Sequence, residues 1–207
     1  MLSSARLVVA DHYRSFQELA VGERESIDYQ VRVHRRQSRI AVLAPHGGKI
    51  EPGTSELAEY IAREDFSFYA FEGMRSGHNS RLGIPSDCFD EPECASLLEH
   101  CELAIAIHGV PGQDHDVRIG GGNALLREKL TTMLQAAGFQ VVEDDTSSNT
   151  ADLCNRPGPG LRIEVSKKLR DRFVSYPRDM DRFVSCIRAV LLQITLEQER
   201  TKDVAAR

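Results

Sequence analysis

Two apolar runs in this chain end in the same way, with a histidine followed by glycine. RIAVLAPHGG leads to His46, and LAIAIHG leads to His108. Short apolar runs bounded by turn residues read as buried strands. Sites in α/β sheets gather at the carboxyl ends of such strands. Glu51 follows His46 by five positions, across the Gly47-Gly48 turn. A loop of that length can fold His46 and Glu51 onto one ion. Two imidazoles and one carboxylate are a common ligand set for catalytic zinc, which keeps a fourth position for water. Either histidine alone also suits a hydrogen-bonded strand end. Their shared context, together with Glu51, tips the balance towards a metal.

Other side chains could complete such a site. In LRIEVS (161–166), Leu161, Ile163 and Val165 alternate with Arg162, Glu164 and Ser166. Glu164 could take a proton from water beside a metal, or be an exposed strand residue paired with a lysine. Asn155 and Arg156 precede that strand. Arginine grips carboxylates with two hydrogen bonds, although a surface loop arginine fits equally well. Arg162, Lys167, Lys168, Arg170 and Arg172 form a basic stretch that could attract a polyanion or simply be a solvated face. The Gly120–Gly122 triplet before a helix could bind an anion, but it lacks a P-loop Lys-Ser/Thr and reads as a turn or substrate-side loop.

The elements that must position these groups alternate along the chain. A short helix or loop is expected over 9–20. Strands are expected at 28–34, 39–44 (ended by Pro45), 66–72, 103–107, 139–142 and 161–165. Helices are expected at 54–62 (capped by Thr54 or Ser55), 93–101, 123–137 (stopped by Gly138), 167–173 and 180–196. Loops are expected at 73–92, 111–122 and 143–160, and a frayed tail after 198. Alternation of this kind implies an α/β fold: one domain over 1–207, its core about 10–196, with a mixed, mostly parallel sheet covered by helices on both faces.

Composition sets outer limits. The chain has 207 residues, 41% apolar and 28% charged, as in a globular domain. A net charge of −5 argues against general nucleic-acid binding. No apolar run is long enough to span a membrane. The N-terminus turns polar too early for a signal peptide, so a cytoplasmic location is expected, with release on lysis if the chain comes from a phage. Five cysteines without a CxxC pair read as buried thiols.

Several stretches together resemble the phage and bacterial poly-γ-glutamate hydrolases. They are APHGGKIEPGTSELAEYIA (44–62), YAFEG (69–73), FDEP (89–92), AIHG (106–109), IGGGN (119–123), CNR (154–156) and LRIEVSKKLR (161–170). The resemblance implies a zinc-dependent hydrolase with a carboxypeptidase-like core. The family's metal ligands fall on His46, Glu51 and His108, and its catalytic glutamate falls on Glu164. Its Asn-Arg pair falls on Asn155 and Arg156, suited to substrate carboxylates, and Arg75 or Arg156 would steady the amide oxygen. The implied substrate is a γ-glutamyl polymer. Small acyl-amino acids or peptides are an alternative, as is a binding module without catalysis. The segment LGIPSDCFD (82–90) departs from the family, which often carries histidines there.

Overall fold

The computed structural model describes residues 13–143 and 151–205. The expectations for 9–12 and 144–150 lie outside the described residues. Seven strands form one mixed sheet in the order β1-β3-β2-β4-β7-β5-β6. They are β1 Tyr29–His34, β2 Ile40–Gly48, β3 Ser67–Gly73, β4 Leu103–Val110, β5 Asp116–Gly120, β6 Gln140–Glu143 and β7 Leu161–Ser166. The pairings of β2 with β3 and β4, of β4 with β7, and of β5 with β6 are parallel. The β1–β3 and β5–β7 pairings are antiparallel.

The sheet is covered on both faces. Ile105, Ile107, Val117, Ile163 and Val165 point to one side. There they pack against helices α2 (Thr54–Ala62), α4 (Ala124–Ala136), α5 (Lys167–Ser175) and α6 (Pro177–Ala205). Ala41, Leu43, Tyr69, Phe71 and Ala104 point to the other side, under α1 (Phe16–Gly22) and α3 (Pro92–Leu98). Burial on both faces explains why β2 and β4 read as continuous apolar runs and not as alternating ones.

Cys88, expected as a buried thiol, is exposed, and four expectations about the elements need correction. The segment 111–122 is not all loop, because Asp116–Gly120 forms β5 beside β7. Its inward residues, Val117 and Ile119, are only two apolar positions between turn residues, too few to show a period. Pro45 does not end β2. The strand continues to Gly48 through a register shift between Ala44 and Gly47, where the missing proline N–H costs no ladder bond. Helix α2 is capped by neither Thr54 nor Ser55. Gly53 is its N-cap, with φ at 94°, while Thr54 Oγ1 donates to the Glu51 carbonyl at 2.8 Å. Finally, α6 runs on to Ala205, beyond the expected end at 196.

Candidate metal centre

The parallel strands β2 and β4 lie side by side, so their carboxyl ends deliver His46 and His108 to one place. The imidazole rings are 5.3 Å apart between centroids. Glu51 reaches in from the turn between β2 and α2. Its Oε1 lies 3.4 Å from His46 Nδ1, and its Oε2 lies 3.9 Å from His108 Nδ1. Each of the three residues offers one ligand atom within 4.8 Å of the others. Two coordination bonds of about 2 Å span at most about 4 Å, so a small inward movement closes the set on one ion. The donors fit a divalent metal that accepts imidazole nitrogen and carboxylate oxygen.

The turn that carries Glu51 is built for close approach. A Cβ on Gly47 would lie 2.0 Å from Ser55 Oγ, and Gly48 has φ at 60°. Ser55 Oγ accepts the Gly48 N–H at 3.0 Å. The Gly109 amide, just past His108, donates to Glu51 Oε2 at 2.7 Å. Arg170 lies over Gly109 and donates to the carbonyls of Pro52 and Val165.

The electrostatics favour the forms that bind metal. Burial pushes the His108 imidazole down to about 4, against the pull of Glu51, so it is neutral near pH 7. Burial would raise the Glu51 carboxyl, but His46, His108 and the Gly109 amide outweigh it and hold it below its usual value. His46 is also oriented from behind, because its Nε2 donates to the Ile84 carbonyl at 2.7 Å. That bond turns Nδ1 toward Glu51, a common arrangement behind metal-ligating histidines.

Glu164 joins this cluster through the sheet. It pairs in register with His108 on β4 and with Arg118 on β5. It is buried, at 8% exposure, and Arg162 Nε lies 3.4 Å from its Oε1.

The remaining expected residues have protein partners. Asn155 Oδ1 accepts from the Gly122 and Gly160 amides at 2.8 and 3.0 Å, which stitches two loops together. Arg156 donates to the Phe89 and Asp87 carbonyls. It thereby braces the 82–90 loop, the same loop that supplies the Ile84 carbonyl to His46. Arg75 pairs with Glu23 and Asp28.

The basic stretch divides. Arg162 and Arg170 turn inward, whereas Lys168 and Arg172 line a cavity of about 450 Å³ with His115, Asp171, Ser175 and Tyr176. Sequence reasoning passed over Asp152 and Ile84, and placed Arg162 only in a basic stretch. Only Arg162 left a signal, by sharing a strand face with Glu164.

The fold is α/β and zinc-carboxypeptidase-like, and the three-donor cluster is a candidate metal centre. A family model described as poly-γ-glutamate hydrolase matches residues 13–182, and the chain belongs to that family. Among curated relatives, the Bacillus subtilis protein YndL is 36% identical over 160 residues, 75% of this chain and 63% of YndL. The SPbeta prophage-derived YoqZ of the same organism is 34% identical over 171 residues, 80% of this chain and 62% of YoqZ. The chain therefore spans somewhat less than two thirds of either relative. A solved structure of a bacteriophage poly-γ-glutamate hydrolase superposes with a TM-score of 0.84 at 25% identity, covering 90% of this chain and 99% of the other. A structure of YndL described as apo and zinc-free superposes with a TM-score of 0.72 at 30% identity, covering 85% and 98%.

Among the described residues, no helix is long and apolar enough to cross a membrane.

Proposed function

We propose that this chain hydrolyses the γ-glutamyl amide bonds of poly-γ-glutamate, with a zinc ion held by His46, Glu51 and His108. One observation carries the proposal. The three donor groups converge beside Glu164, which is in register with His108, in a chain of the poly-γ-glutamate hydrolase family. The description of a zinc-free form of YndL supports zinc as the metal.

A zinc ion at this site would act as a Lewis acid, polarising the scissile carbonyl and making nearby water more acidic. The chain's own residues do the rest. Glu164 accepts the proton of the attacking water and passes it to the leaving nitrogen. Its burial keeps bulk water from competing for that proton. The substrate carries a free α-carboxylate on each residue, and Arg156 meets one of them with donors not used on Phe89 and Asp87. Asn155 fixes the loop from which Arg156 projects. At Arg75 a substrate carboxylate competes with Glu23 and Asp28, so Arg156 is the stronger candidate.

The test is to incubate the zinc-loaded protein with poly-γ-glutamate and follow release of short γ-glutamyl fragments. Fragments that vanish with a chelator and return with zinc are expected. An unchanged polymer alongside cleavage of small acyl-amino acids would reassign the substrate. No cleavage of either would leave a binding module.

A further inference from the structure

Arg162 and Glu164 leave β7 on the same face and lie side by side in a shielded place. Their side chains are 12% and 10% exposed. Behind Arg162 stands Asp152, whose side chain is 3% exposed and whose Oδ2 accepts from Arg162 Nη1 at 2.8 Å. Asp152 is itself fixed. Its Oδ1 accepts from Ser86 Oγ at 3.1 Å and from the Cys154 amide at 3.2 Å, where it caps the short 3-10 turn Leu153–Asn155. Burial would raise the Asp152 carboxyl, but His108, Arg162 and the Cys154 amide bring it below its usual value. A line of ionic groups thus runs from the 82–90 loop through Asp152 and Arg162 to Glu164.

A buried ion pair is a weak source of stability, since well-packed apolar residues of the same volume often do as well or better. Orientation is a better account of this cluster. A guanidinium is a rigid planar fork, and with one end held by Asp152 it can present its Nε in only a narrow range of directions. Glu164 has neighbours on three sides: Arg162 on its own strand, His108 on β4 and Arg118 on β5.

We propose that Arg162, anchored by Asp152, is the positioning residue for Glu164, holding its carboxylate beside the metal centre while touching no substrate itself. The proposal rests on Glu164 being the proton acceptor.

A double-mutant cycle on the zinc-loaded protein tests it, with kcat, KM and metal content as readouts. Arg162→Gln is expected to lower kcat roughly 10–100-fold with metal retained, the usual loss when an outer partner of a site is removed. Its KM should change by less than about twofold. In a Glu164→Gln background the same substitution should change kcat by less than about twofold, because its target is already gone. Arg162→Lys should recover part of the loss. If Arg162→Gln does not fold, the isosteric Asp152→Asn enters the same cycle. A loss of equal size in both backgrounds, or loss of the metal, would overturn the positioning role and leave the Glu164 assignment standing. Full activity in Glu164→Gln alone would overturn that assignment, and the positioning role with it.

Discussion

His108 and Glu164 face one another in register across the parallel β4–β7 pairing, so their side chains leave the same face of the sheet. Two buried titratable groups, more than fifty positions apart in sequence, are thereby fixed as neighbours by backbone hydrogen bonds and do not depend on loop conformation. Several consequences can be measured.

Glu164→Gln removes the proposed proton acceptor and keeps the shape. The expected outcome is a kcat lowered about 10²–10⁴-fold, the usual contribution of a general base, with zinc content unchanged. Steady-state kinetics and elemental analysis on one sample check this together.

Gly109→Ala places a Cβ 2.6 Å from Arg170 Cζ and 2.9 Å from Glu51 Cβ. Arg170 has little room to retreat while it is bonded to the Pro52 and Val165 carbonyls. Glu51 must therefore shift, and zinc affinity should fall. Overpacking of this kind costs about 1–3 kcal/mol, readable as a lower midpoint in chemical denaturation. An unchanged zinc titration would show that the Gly109 contact does not fix Glu51.

The metal-free protein should lose stability in mild acid through His108. Burial sets its folded value at about 4, below the ordinary 6.5. Between those values the unfolded chain binds a proton that the folded chain does not, so folding free energy falls as pH falls. The His108 contribution is complete above about 6.5 and levels off below about 4. Thermal melts of chelator-treated protein across this window should show the decline, and His108→Gln should flatten it. Parallel curves for the two proteins would contradict the assignment.

Lys168 lines the cavity beside α5 and has no ion-pair partner among the described residues, whereas Arg172 is held by Asp179 and Asp171 by Lys167. If polymer carboxylates track across this cavity, Lys168→Ala raises KM for poly-γ-glutamate and weakens its salt dependence. Cleavage of a short γ-glutamyl peptide stays as it was. Equal effects on both substrates would place Lys168 outside the polymer path.

The three metal-ligand candidates were legible because the chain repeats one device, an apolar strand ending in His-Gly, and because Glu51 sits just past a double-glycine turn. The buried strands and long helices were legible for a similar reason, since burial on two faces or on one helical face leaves a period in the residues. What stayed hidden depends on distant partners. Strand β5 is held by its pairing with β7 and β6, and DVRIG alone has too few apolar positions to announce it. Arg162 reads as one more base in a basic stretch until Asp152 arrives from another loop. Arg156 has the right chemistry for a substrate carboxylate, yet the same guanidinium suits the Phe89 and Asp87 carbonyls, and only the fold brings those within reach. The 82–90 loop contains no histidine. It still contributes to the site through a main-chain carbonyl, at Ile84, which no residue pattern records.

The most direct test is metal content. Protein purified with zinc present and freed of loose metal should carry about one zinc per chain by elemental analysis. His46→Ala, Glu51→Gln and His108→Ala should each carry almost none while keeping the circular dichroism of the fold. Wild-type protein without bound metal, or full zinc occupancy in all three variants, would contradict a centre built from these residues.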